Sequence, residues 1–174
     1  MEFQVRPQNT LAMQARYLGI DPGLSRTGYA LVERTPRGPV LREGGVVQST
    51  KQTPLHKRVL EISTGIRELI EELKPEAVAI EQVFANAKNL KSSLLLAHAR
   101  GAILASLATF EIPIVTFTPA QIKRLLTGSG RAPKEQMQHA IRAELKLKEL
   151  PEPHDVADAS AIALCLYHSV RFAV

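Results

Sequence analysis

The chain has 174 residues, 45% hydrophobic and 22% charged, with 22 Lys and Arg against 17 Asp and Glu for a formal charge of +5. That length suits one domain with a proper core, and the composition is that of an ordinary globular protein. No apolar run reaches the length of a membrane span, and the lone cysteine, Cys165, excludes an intramolecular disulfide and a Cys-based zinc site.

Residues 1–16, MEFQVRPQNTLAMQAR, lack the apolar block of a secretory signal and read as a flexible leader, with Met13 as an alternative start. Residues 17–174 are expected to form a single domain in a reducing cytoplasm. Three strand-like runs follow, 16–20, 27–33 and 40–48, joined by Gly/Pro turns that predict an antiparallel meander. Leu55, Val59, Ile62, Ile66, Leu69 and Leu73 alternate spacings of four and three, one stripe along a helix that Pro75 ends. AVAIE, 77–81, reads as a short buried strand.

The loop QVFANAKN leads into a helix over 90–110, with an expected inner face of Leu94, Ala97, Gly101, Leu104 and Ala108. Those small residues allow close approach to a sheet or to another subunit. IPIVTF is the fifth strand, and TPAQIKRLL opens a helix capped by Thr118 with Pro119 at its first position. After TGSGRAP come helices over 134–147 and 154–170. In these apolar helices Cys165 reads as a buried structural thiol, and His98, His139 and His168 as packing residues. The order of elements predicts an α/β domain with a mixed sheet flanked by helices.

Asp21 closes the first strand and Glu81 the fourth. If these strands are parallel neighbours joined by a right-handed crossover, both carboxylates emerge at one sheet edge, on strands about 4.8 Å apart. Carboxyl ends of parallel strands are where open α/β sheets bind ligands. Asp21 before Pro22 and Gly23 equally suits a turn cap. Asp155 and Asp158, three residues apart in HDVADA, share a helix face that continues into Ile162, Cys165 and Leu166. Crowded carboxylates raise one another's pKa unless a cation neutralises them. Oxygen-only ligands select Mg²⁺ or Mn²⁺, and two such ions suit in-line hydrolysis of a phosphodiester.

LGIDPGLSRTGYALVE, AIEQVF, HARGA, GSGRAPKEQMQHAI and HDVADASAIAL occur in the order seen in the RuvC family, which the chain resembles from about residue 17 to 168. These are bacterial Holliday-junction resolvases with a ribonuclease-H-like fold. The resemblance implies a five-stranded mixed sheet, three antiparallel strands followed by two with helical crossovers. It implies that Asp21, Glu81, Asp155 and Asp158 are the metal-binding catalytic carboxylates, with two Mg²⁺ per subunit and Mn²⁺ as a substitute. It further implies a homodimer on four-way junction DNA, paired symmetric nicks with 5′-phosphate and 3′-hydroxyl ends, and a RuvA–RuvB branch-migration partner in recombination and repair. Some relatives carry histidine at the position of Asp155, and here His154 precedes it. The loop FANAKNLKSS is one residue longer than the usual pattern.

Phe84, just past Glu81, is either a ring that stacks on an unstacked base at the junction or a plug closing the loop; the resemblance favours stacking. Lys88 and Lys91 flank that loop, and Lys123, Arg124, Arg131 and Lys134 surround the Gly-rich connection, as phosphate-binding cations or solvated surface charge. The match of GRAPKEQ to the family implies that Lys134 is the active-site cation, with Lys123 the next candidate. The rival readings are an actin-like kinase or ATPase, which needs a further domain, and a non-catalytic junction binder, for which four crowded acids serve no purpose.

Overall fold

The computed structural model describes residues 15–84 and 87–171, so residues 1–14 of the leader, with Met13, and Asn86 in the loop after Glu81 lie outside the described residues. The elements are β1 (Arg16–Asp21), β2 (Arg26–Thr35), β3 (Gly38–Gln48), α1 (Leu55–Leu73), β4 (Ala77–Glu81), α2 (Leu90–Ala108), β5 (Ile114–Phe117), α3 (Pro119–Thr127), α4 (Lys134–Leu145) and α5 (His154–Arg171). One sheet runs in the order β3-β2-β1-β4-β5. The first three strands pair antiparallel, and β4 pairs parallel with both β1 and β5. This is the mixed sheet that the element order predicts, in the five-stranded arrangement that the resemblance implies.

Alternation along the central strands builds the layers. Leu18 and Ile20 of β1, with Val78 and Ile80 of β4, pack against Ile62 and Ile66 of α1 and Ile103 and Leu107 of α2. The intervening residues, Tyr17, Ala77 and Ala79, belong to a second core with Ile162, Leu164 and Leu166 of α5. On that side α5 lies against the strands themselves. A Cβ on Gly19 would stand 2.2 Å from the Ala159 carbonyl oxygen and 2.4 Å from the Ala163 nitrogen, so only a hydrogen fits. The far end of α5 is held by Arg34, whose Nη2 donates to the Tyr167 carbonyl at 2.7 Å while its guanidinium covers the Tyr167 ring at 4.0 Å.

Two helical faces differ from expectation. In α1 Leu55 is exposed, and Ile70 joins the buried stripe. In α2 the face is shifted: Ala99, Ile103, Ser106 and Leu107 are buried and Leu104 packs half-buried beside them, whereas Leu94 is 56% exposed and a Cβ on Gly101 would meet nothing within 4 Å. The physical reason is that α2 is apolar nearly all round, so periodicity gives no direction. Ser106 settles it by hydrogen-bonding Ser63 of α1, Oγ to Oγ at 2.7 Å.

His98 and His139 are exposed rather than packed, and α4 ends at Leu145, short of 147. His168 is half-buried, edge-on to Tyr167 and 3.4 Å from Glu144. Cys165 is buried as expected; its thiol points to the Ile122 carbonyl at 3.7 Å, and burial pushes its pKa up to about 12. Among the described residues no helix is long and apolar enough to cross a membrane.

Candidate active site

The parallel register pairs Ile20 with Ile80, so the next residues, Asp21 and Glu81, end adjoining strands at the same edge. The turn after Asp21 is closed by Thr27. Its hydroxyl donates to the Gly23 carbonyl at 2.7 Å and accepts from the Gly23 amide at 3.3 Å. A side chain at Gly23 would collide with the Arg26 carbonyl, and Arg58 ties the turn to α1 through Ser25 at 2.7 Å. Thr27 acts as the cap, which leaves the Asp21 carboxyl for Glu81, with which it shares a side-chain hydrogen bond.

A cleft of about 330 Å³ opens over this edge. Its polar wall consists of Asp21, Glu81, Asp158, His154, Lys123 and Lys134, and its apolar floor of Ile122, Met137, Ile141 and Ile162. Most of the polar side chains are delivered by element ends. Asp158 lies in the first turns of α5, and Lys134 opens α4 after Pro133. Lys123 rides on α3, which starts with the predicted Thr118 cap as a full capping box with Gln121, at 3.1 and 2.8 Å. Asp155 does not line the cleft. Its Oδ2 accepts from Arg26 Nε at 3.0 Å and Nη2 at 2.9 Å.

The acids perturb one another strongly. Burial, then the charges of Glu81, Asp158 and Asp155, raise the Asp21 pKa from 3.8 to about 8. Glu81 is also raised, by burial and by Asp158, against the hydrogen bond from Asp21 and the charge of Lys123. Asp158 is raised by burial of its carboxyl and by Asp155, opposed by Lys134 and His154.

The donor set suits a hard divalent cation: oxygen atoms only, more negative charge than the nearby lysines cancel, and a proton retained on Asp21 in the cation's stead. Among the described residues no three of these groups already converge into a cage for such an ion.

Of the remaining predicted residues, Phe84 is 57% exposed, which excludes the plug. Lys88, Lys91 and Arg131 are exposed and stand outside the cleft lining. Several residues of the site have no role in the sequence reading, among them Arg26, Arg100, Met137 and Gln138. Arg100 donates from Nε to the Glu81 carbonyl at 3.0 Å and from Nη2 to Thr116 Oγ1 at 3.3 Å, fixing the end of β4 to β5. Its signal was the HARGA motif; Met137 and Gln138 lie within GRAPKEQMQ and line the cleft.

Comparison with known proteins identifies the family. The sequence profile of the family described as "Crossover junction endodeoxyribonuclease RuvC" matches residues 17–166. The chain is 45% identical to the RuvC of Moorella thermoacetica over 149 residues, covering 85% of this chain and 88% of that protein. It is 42% identical to that of Rhodopirellula baltica over 148 residues, covering 85% and 83%. The structure of Thermus thermophilus RuvC in complex with Holliday junction substrate superposes with a TM-score of 0.83 at 34% identity, covering 91% of this chain and 96% of that one. The yeast mitochondrial Holliday junction resolvase Ydc2, at 15% identity and a TM-score of 0.63, shares the fold. The chain belongs to the RuvC family of crossover junction endodeoxyribonucleases.

Proposed function

We propose that this protein resolves four-way DNA junctions as a metal-dependent endonuclease, with residues 17–174 acting as one nuclease domain. The observation that carries the reading is the meeting of Asp21, Glu81 and Asp158 with Lys123 and Lys134 in one cleft at the carboxyl edge of a parallel strand pair. The Thermus thermophilus relative solved with Holliday junction substrate supports the choice of DNA.

Asp21, Glu81, Asp158 and Asp155 are the residues to hold Mg²⁺, two ions per subunit, with Mn²⁺ as a substitute. Bound there, the ions supply water activation and charge stabilisation at the leaving oxygen. Asp21 must lose its proton to take part, which its raised pKa opposes until a cation replaces that proton. Lys134 steadies charge on the reacting phosphate, and the charge of Lys123 favours the ionised form of Glu81. Phe84 stacks on an unpaired base, and Lys88, Lys91 and Arg131 neutralise flanking phosphates.

A homodimer through the exposed stripe of α2 sets two clefts on one junction, giving paired symmetric nicks with 5′-phosphate and 3′-hydroxyl ends. RuvA and RuvB supply the junction by branch migration in the bacterial cytoplasm. The test offers a synthetic four-way junction beside linear duplex of the same sequence, with Mg²⁺, with Mn²⁺ and with chelator. Paired nicks on the junction alone, lost on chelation, are expected. Cleavage that survives chelation, or equal cutting of the duplex, overturns the proposal.

A further inference from the structure

We propose that Arg26 is an internal counter-ion for Asp155, one that competes with the divalent cation and releases the carboxylate as the cation binds. The inference rests on the reading of Asp155 as a metal ligand. Its geometry begins in β2, where Arg26 and Gly28 fall on the same face by the period of two. A Cβ on Gly28 would stand 2.3 Å from the Asp155 carbonyl oxygen, so the missing side chain lets the first turn of α5 press onto the strand. That approach brings the Asp155 side chain to Arg26, two residues earlier, and both Nε and Nη2 settle on the same oxygen, Oδ2, at 3.0 and 2.9 Å.

Three observations make this pair a competitor rather than a fixed brace. Asp155 alone of the four acids is absent from the cleft lining. No three acid side chains of the described residues converge into a cation cage. The pair is also open to solvent, with the Arg26 side chain 42% exposed and that of Asp155 28%. Ion pairs of such exposure are weak, and a doubly charged ion displaces one. Rotation of the Asp155 side chain away from Arg26 then completes the acid set.

The test is thermal melting of the full chain, without DNA, titrated with Mg²⁺ alone and compared among variants. Arg26→Gln is expected to lower the half-saturating Mg²⁺ concentration about two- to fivefold, the worth of an exposed pair. Arg26→Lys, which keeps the charge, is expected to stay near the wild-type midpoint. Asp155→Asn should raise the midpoint, and adding Arg26→Gln to it should change nothing further. A brace would lower the metal-free melting temperature without lowering the midpoint, and that result overturns the proposal. The proposal also fails if Arg26→Gln lowers the midpoint equally with Asp155→Asn present. If Asp155→Asn itself leaves the midpoint unmoved, the ligand reading falls and the proposal with it. If Asp155→Asn raises the midpoint while Arg26→Gln leaves it unchanged or raised, the ligand reading stands and only the role of Arg26 is lost.

Discussion

Asp21 ends β1 beside Glu81 at the end of the parallel strand β4, and burial together with the charge of Glu81 favours the protonated form of the Asp21 carboxyl. The consequence is a pH dependence of stability in the absence of metal. The folded pKa of Asp21 is raised from 3.8 to about 8, so the folded chain keeps a proton that the unfolded chain gives up. Stability from this group is therefore complete below pH 3.8 and is lost progressively as pH rises to about 8. Thermal melting from pH 5 to 9 in chelator should show a falling midpoint, and saturating Mg²⁺ should flatten the fall. A profile in chelator that is flat over this range would mean that Asp21 is not held protonated.

Asp21→Asn removes the charge that the site resists. At pH 8 in chelator the variant should melt about 2–6 °C above the unsubstituted chain, while junction binding by gel shift persists and cleavage disappears. Cleavage at the normal rate would remove Asp21 from the reaction.

Lys134 opposes the raised pKa of Asp158 and lines the same cleft as the acids. Lys134→Ala should lower the single-turnover cleavage rate about 10²–10³-fold, with only a small change in junction affinity. A loss confined to affinity would reassign Lys134 to simple phosphate binding.

Gly19 sits beneath the α5 backbone with no room for a methyl group. Gly19→Ala should cost about 1–3 kcal/mol of folding stability in urea melts. It should also slow cleavage, because the helix that carries Asp158 is pushed off the sheet. An unchanged melt would show that α5 is not seated on β1.

Gly101 and Leu94 lie on the open side of α2, where the folded monomer makes no use of them. Gly101→Arg should leave the melting temperature of dilute protein nearly unchanged yet convert the proposed dimer to monomer in sedimentation. A dimer that survives the substitution would locate the subunit contact elsewhere.

Which features were readable in the chain, and which were not, follows from the range of the forces involved. Asp21 and Glu81 could be found because each ends a strand whose apolar alternation is local, and the meander-then-crossover order makes the two strands neighbours. Thr118 and Pro119 announced α3 by short-range capping alone. The inward stripe of α1 held at Ile62, Ile66 and Leu69 because that helix has a charged outer side. Helix α2 lacks such a side, and the burial of Ile103 and Leu107 with the hydrogen bond of Ser106 to Ser63 sets its facing. Arg26 was invisible for a different reason: its partner is 129 positions away, and no pattern near DPGLSRTGYA points there. Asp155 and Asp158 share a helix face, yet one faces an arginine and the other the cleft. Their spacing cannot separate those fates.

The seating of α5 determines where damage can arise. One end of this helix supplies two acids, its middle rests on bare strand backbone at Gly19, and its other end is gripped by Arg34 at Tyr167. It behaves as a lever with its fulcrum in the core. A loosened grip at Arg34 would tilt the acids at the opposite end, turning a remote stability defect into a catalytic one in a molecule that still folds and still binds DNA.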